Sequence, residues 1–137
     1  MTIPRFLLPG LLICVALSAA DKKPDLNLNV AMMEVTCKIV GPSSAGTGFI
    51  LGTPDPTDGT YSFYTLITAH HVLADIKGDA AALVLRKVIN REEQSYQRID
   101  WPVRIRDNGK MLWTKHPDVD LAAMFVALPK EIGIPVV

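Results

Sequence analysis

The chain has 137 residues, a length that corresponds to a single domain. Hydrophobic residues make up 49% of the sequence and charged residues 20%, so the chain can bury a core, and this composition argues against global disorder. The 14 basic and 14 acidic residues give a formal net charge of zero. This balance offers no basic surplus for nucleic acid, which we do not expect as a partner.

The first 20 residues have the layout of a secretory signal peptide. Arg5 supplies a positive charge, residues 6–17 form an apolar run, and residues 18–20 (SAA) are small enough for a signal peptidase. The apolar run is too short for a stable membrane span, so we expect cleavage near Ala20 and a secreted or periplasmic mature protein with no such span. An uncleaved anchor and a lipoprotein modified at Cys14 stay open as alternatives.

After the signal peptide, a flexible lead-in is expected over residues 21–31, followed by one β-domain over residues 32–137. The segment EVTCKIV alternates apolar and polar residues, which predicts a strand over residues 32–40 with Cys37 on its inner face. Cys37 is the one cysteine left after cleavage, so the chain cannot form an internal disulfide. We therefore interpret Cys37 as a buried structural thiol.

The rest of the chain predicts five more short strands, separated by turn sequences, and no long helix. Residues 70–79 have room for one helical turn, which Gly78 ends, and residues 107–120 are predicted to form a loop. In the fifth strand, Arg106 is placed on the outward face together with the other charged residues. The five strands are predicted at residues 47–52, 60–69, 81–89, 98–106 and 121–128. Six short strands of this kind predict an all-β fold, either a small barrel or a sandwich.

Two polar clusters lie at the ends of predicted strands. LITAHHVL (66–73) ends one strand with His70 and His71, and HPDVD (116–120) comes directly before another. An imidazole acts as a general base when a carboxylate holds its tautomer and stabilises the imidazolium, and His71 with an acid from the second cluster fits that requirement. A purely structural role for this histidine stays open.

A metal site is an alternative use of the same residues. Its candidate ligands are His70, His71, His116, Asp118 and Asp120. Adjacent histidines point to different sides of an extended backbone, and the spacing matches no common zinc pattern. We therefore expect no metal.

Three segments, taken in order, resemble the trypsin-like (chymotrypsin-fold) serine peptidases, and the bacterial secreted members in particular. GTGFIL (46–51) is similar to the family's Gly-Ser/Thr-Gly-Phe strand, and LITAHHV (66–72) to its Thr-Ala-Ala-His segment followed by Cys or Val. DVDLAAMFV (118–126) is similar to its Asp-Ile/Leu-Ala strand entry. Each segment is short, but their order and spacing together are specific. The resemblance covers about residues 32–128 and implies the family's first barrel, a six-stranded antiparallel Greek-key β-barrel.

The resemblance assigns roles to two residues of this chain. His71 falls on the catalytic histidine, and Asp120 falls on the catalytic aspartate because Leu121 and Ala122 follow it as the family pattern requires. His70 stands where the family has Ala, which implies a bystander or a modifier of His71. No cofactor is implied.

The family's nucleophile is not found in this sequence. The serines after residue 20 are Ser43, Ser44, Ser62 and Ser95, and none has the Gly-x-Ser-Gly context of the family's second barrel. The resemblance therefore implies an exported trypsin-like serine endopeptidase that cleaves polypeptide substrates. The 137 residues are expected to be its N-terminal half, inactive without a missing C-terminal barrel that supplies the serine. The alternative function is a non-catalytic exported β-barrel that binds a partner.

Overall fold

The computed structural model describes residues 27–57, 62–129, 131–132 and 134. The predicted signal peptide (residues 1–20) and the first part of the predicted lead-in (residues 21–26) lie outside these ranges. The described elements are, in chain order, α1 (Leu28–Val35), β1 (Thr36–Val40), β2 (Ala45–Pro54), β3 (Ser62–Thr68), α2 (His70–Asp75), β4 (Ala80–Asn90), β5 (Ser95–Arg104), β6 (Arg106–Asp107), β7 (Lys110–Met111), β8 (Thr114–Lys115) and β9 (Ala122–Val126). Neither of the two helices in these ranges is long and apolar enough to cross a bilayer.

Most of the strands belong to one antiparallel sheet. Its order is β5-β4-β1-β2-β3-β9-β8, while β6 and β7 pair separately. This arrangement confirms the all-β class that the sequence predicts. No backbone pairing joins the two ends of the sheet within the described residues. The edge strand β5 nevertheless approaches the other side of the sheet, because the Trp101 indole on β5 donates a hydrogen bond of 2.8 Å to the carbonyl of Ala127, just after β9.

The inner face of the sheet forms a single hydrophobic core. Its fully buried side chains include Ile39, Ile50, Leu66, Leu73, Ile76, Leu83 and Ile105. The alternation read from β1 is confirmed at Cys37, which is a free thiol with 2% of its surface exposed. Burial raises the pKa of this thiol to about 11, so it is protonated and unreactive at neutral pH.

The main departure from the predicted elements is α1. Residues 28–35 form a helix where the alternation predicts the end of a flexible lead-in and the start of a strand. The Asn27 side chain caps the helix by accepting a hydrogen bond of 3.0 Å from the Asn29 N–H. Contacts from distant residues then hold it on the sheet: Arg91 donates two hydrogen bonds, of 2.8 and 3.1 Å, to the buried carboxylate of Glu34. Local periodicity carries no information about such partners, which explains why the sequence prediction is wrong here.

Candidate active site

The end of β3 is fixed before the chain enters α2. The Thr68 side chain is buried, and its hydroxyl donates a hydrogen bond of 2.8 Å to the carbonyl of Thr47 on β2. Ala69 is extended and offers no side-chain cap, so α2 begins directly at His70. The helix ends within two turns, and Gly78, with φ of 89°, reverses the chain into β4. The helical turn agrees with the sequence prediction, but it ends at Asp75, where Ile76 is extended, and not at Gly78.

Gly46 on β2 leaves the space in which α2 packs. A Cβ atom added at Gly46 would lie 2.5 Å from both Cγ1 and Cγ2 of Val72, well inside the normal contact distance. Val72 directly follows His71 in α2. The first glycine of the GTGF segment is therefore required because the backbone of β2 and the helix that carries the histidines approach closely.

The register of two neighbouring strands brings the candidate base and acid to the same end of the sheet. Thr68 on β3 lies opposite Ala122 on β9. His71 follows Thr68 by three residues and Asp120 precedes Ala122 by two, so both emerge at this end. Antiparallel pairing thus brings these two residues close in space although they are 49 residues apart in sequence.

Asp120 accepts two hydrogen bonds from His71. The His71 backbone N–H donates to Oδ1 at 3.0 Å, and the ring nitrogen Nδ1 lies 2.5 Å from Oδ2. An ionised carboxylate only accepts hydrogen bonds, so the ring proton must reside on Nδ1. Nε2 of the neutral ring then carries the free lone pair, which is the atom a general base uses.

The pair also shifts the titration of both groups. The hydrogen bond to Asp120, and then the negative charge of Asp120, raise the pKa of His71 above its ordinary value of 6.5. The same ring hydrogen bond, followed by the backbone N–H of His71, lowers the pKa of Asp120 below 3.8. Both side chains are more than half exposed, 63% for His71 and 53% for Asp120, so water screens their attraction. The arrangement can accept a proton at Nε2 and stabilise the resulting imidazolium.

The second acid of the HPDVD cluster does not join this pair. The backbone N–H of Asp118 donates a hydrogen bond of 3.1 Å to Nδ1 of His116, within an exposed loop. Among the described residues, no group of three or more His, Cys, Asp or Glu side chains is placed to share a metal ion. The geometry brings together His71 and Asp120 and leaves Asp118 and His116 as a separate local turn.

Trp113 and Arg106 lie next to the histidine-bearing helix, and the sequence analysis did not assign either of them to the site. The indole N–H of Trp113 donates a hydrogen bond of 3.1 Å to Nδ1 of His70. Arg106 is predicted to point outward with the other charged residues of the fifth predicted strand. It instead turns toward α2, because that strand breaks at Ile105 and the backbone N–H groups of Ile105 and Arg106 both bond to the carbonyl of Asp79. A tryptophan inside a predicted loop is the signal that indicates burial at position 113.

None of the four serines is hydrogen-bonded to His71 or Asp120 in the described part of the chain. Ser43 and Ser44 occupy the turn between β1 and β2, Ser62 begins β3, and Ser95 begins β5. Within the described ranges, no hydrogen bond joins a serine hydroxyl to His71. Among the described residues, the structure therefore brings together the candidate base and carboxylate without a serine hydroxyl bonded to them.

Comparison of the chain with models of known protein families, with curated proteins and with solved structures gives no match.

Proposed function

We propose that this chain provides the general base and the orienting carboxylate of an exported trypsin-like serine endopeptidase. His71 is the base and then the acid, and Asp120 holds it. The observation that carries the proposal is the double contact of Asp120 with the backbone N–H and the ring Nδ1 of a single histidine. The order of the three family-like segments supports it, as does the packing requirement at Gly46. The catalytic serine and the oxyanion donors are proposed to lie in a second barrel.

The proposal extends to the shape of the sheet, which we take as the Greek-key first barrel of that fold. The hydrogen bond between Trp101 and the carbonyl of Ala127 supports this, because it joins the edge strand β5 to the segment after β9 over one core. Placing the base and acid on the ends of neighbouring strands gives a rigid edge against which a second domain can complete a cleft.

The proposed chemistry is acyl transfer from a peptide bond to water. Nε2 of His71 removes the proton from a serine hydroxyl as the oxygen attacks the carbonyl carbon, and Asp120 stabilises the imidazolium without taking its proton. The imidazolium then protonates the leaving amine, and the acyl-enzyme is hydrolysed with His71 acting on water. In such enzymes, loss of the aspartate lowers kcat by about four orders of magnitude.

The deciding experiment begins with the coding sequence downstream of codon 137. We expect a continuing frame with a Gly-x-Ser-Gly loop, whose full product reacts with a fluorophosphonate probe and cleaves a peptide library. His71→Ala should abolish both reactions. His116→Ala removes an exposed histidine whose ring accepts a hydrogen bond from the Asp118 N–H and forms none with Asp120. It is the matched control and should keep both reactions. The 137-residue chain alone should be silent in both assays.

A second candidate function is a non-catalytic exported domain that binds a partner. The observation that favours it is an apolar patch on the outer face of β2, β3 and β9, where the pairing register places Phe49, Leu51, Phe63 and Phe125 on the same side. All four side chains are at least 40% exposed, and clustered exposed apolar groups mark interaction surfaces. A downstream frame without the serine loop, together with a product that the probe does not label, would support this function over the peptidase.

A further inference from the structure

A chain of side-chain contacts fixes both ends of the short helix that carries His71. At its first residue, His70 accepts the indole hydrogen bond of Trp113, whose side chain is buried with 6% of the residue exposed. The two rings are tilted by 51° with centroids 6.1 Å apart. An indole N–H can only donate, so Nδ1 of His70 must be unprotonated and the neutral ring carries its proton on Nε2. The two adjacent histidines are therefore held in opposite tautomers.

Arg106 holds the other end of α2. Its Nη1 donates to the carbonyls of Ile76 at 2.8 Å and Gly78 at 2.6 Å. Its Nη2 donates to the carbonyls of Leu73 at 3.1 Å and Ala74 at 3.3 Å. These carbonyls include groups at the end of the helix that have no partner within it, and a positive charge is favourable there.

One aromatic ring connects these two attachments. The guanidinium carbon of Arg106 lies 5.0 Å from the centroid of the Trp113 ring, which is the distance of a cation–π contact. The planar guanidinium can stack on the ring and still direct its N–H groups at the carbonyls, which the point charge of a lysine cannot do. Trp113 and Arg106 thus act as one support under α2.

We propose that Trp113 and Arg106, acting through His70 and the end of α2, are positioning residues that set the distance between His71 and Asp120. This inference rests on the proposed function, because it concerns the placement of the proposed base. Ala69 gives the helix no side-chain cap, so the hydrogen bonds at His70 and at Asp120 orient its first turn, in addition to the packing of Val72 and Leu73. A displacement of about 1 Å at such a site is enough to lower a rate by about a hundredfold.

The same contacts explain the histidine pair. Position 70 requires a side chain that accepts a hydrogen bond from Trp113, and position 71 requires one that donates to Asp120 and offers a free lone pair. An alanine at position 70, as in the family pattern, cannot accept the indole proton. The second histidine of LITAHHVL is the base, and the first is the attachment point for its support.

The test uses ¹⁵N-labelled full chain and measures the ring nitrogens and the titration of His71 by NMR. Trp113→Phe removes the indole donor and keeps an aromatic ring. We expect it to weaken the Nδ1–H bond of His71 and to move the His71 pKa down toward its ordinary value. Trp101→Phe is the matched control, because it removes another single indole bond that ends on Ala127, away from α2. It should leave the His71 titration as in the parent chain.

A second pair of variants separates positioning from simple loss of stability. Asparagine places its amide oxygen close to where Nδ1 of histidine lies, so His70→Asn should retain the parent behaviour of His71, while His70→Ala should change it as Trp113→Phe does. The proposal is overturned if His71 titrates alike in His70→Ala and the parent chain, or if Trp101→Phe and Trp113→Phe shift it equally.

These measurements need no peptidase activity, so a failure of the positioning inference can be told apart from a failure of the proposed function. A His71 that responds to Trp113→Phe in a full product that the probe does not label keeps the positioning inference and removes the peptidase. If the probe labels the full product but the His71 titration is the same in all three variants at positions 70 and 113, the peptidase is kept and the positioning inference is removed.

Discussion

A single methyl group added at Gly46, which does not itself belong to the His71–Asp120 pair, should displace the helix that carries His71. The Cβ of Gly46→Ala would lie 2.5 Å from Cγ1 and Cγ2 of Val72 and 3.1 Å from its Cβ. Carbon atoms pack at about 3.5–4.0 Å, so a separation of roughly 1 Å has to be created. Rotating Val72 cannot create it, because a 120° turn exchanges only one of the two methyl groups for hydrogen and leaves the other against the new Cβ.

The remaining response is a shift of α2 away from β2, which carries His71 with it. Overpacking of this kind costs about 1–3 kcal/mol in the free energy of unfolding. The shift should also lengthen the Nδ1 contact with Asp120, so the pKa of His71 should fall toward its ordinary value. Chemical denaturation followed by circular dichroism gives the first quantity, and NMR titration of His71 gives the second.

A double-mutant cycle decides whether the reasoning is correct. Val72→Ala removes both methyl groups in the clash, so Gly46→Ala should cost clearly less in that background. Gly48→Ala is the matched control: its Cβ would meet Leu66 at 2.9 Å in the core and not α2, so Val72→Ala should not relieve it. A stable Gly46→Ala protein with an unchanged His71 titration, or a cycle with no coupling, would refute the close approach of β2 and α2.

Three further variants give four expected outcomes. Asp120→Asn should lower the pKa of His71 toward 6.5, because it removes the acceptor and the charge that raise it; an unchanged NMR titration would contradict the pairing. The same variant should lose stability relative to the parent chain mainly between about pH 4 and pH 7. The lowered pKa of Asp120 stabilises the fold above its ordinary pKa of 3.8, and this stabilisation is lost as pH falls through the lowered value. The raised pKa of His71 stabilises the fold below 6.5, and this stabilisation is lost as pH rises through the raised value. Equal losses of stability at pH 5 and pH 9 would argue against this linkage. Arg91→Ala should cost about 1–3 kcal/mol in urea unfolding, because it leaves the buried Glu34 carboxylate without its partner, while Arg91 itself is half exposed. Combining it with Glu34→Met should recover part of the loss, and no recovery would indicate a different cause. Phe125→Ser should reduce self-association measured by light scattering, since Phe125 is 78% exposed in the apolar patch. A parent chain that stays monomeric at high concentration would contradict this prediction.

Much of the sheet can be predicted from the sequence, because alternation reports directly which side of a strand is buried. This reasoning places Cys37 in the core and locates the strands on either side of the histidine pair. It also identifies the short helical turn that begins at His70. The resemblance of three short segments to a peptidase family, and not their periodicity, selects His71 and Asp120 as candidates. Antiparallel pairing of β3 with β9 is enough to bring two such strand ends together.

Local pattern does not reveal which distant group a side chain will meet. The helix α1 is held by Glu34 and Arg91, which are 57 residues apart, and the break at Ile105 turns Arg106 inward against the alternation of its own strand. The indole of Trp113 reaches His70 across 43 residues. These contacts depend on how the folded chain brings hydrogen-bonding groups together, and a periodicity of two says nothing about that. The sequence by itself determined a β-domain with a candidate base and acid; the tertiary structure decided what supports them, because only folding brings Arg106, Trp113 and α2 into contact.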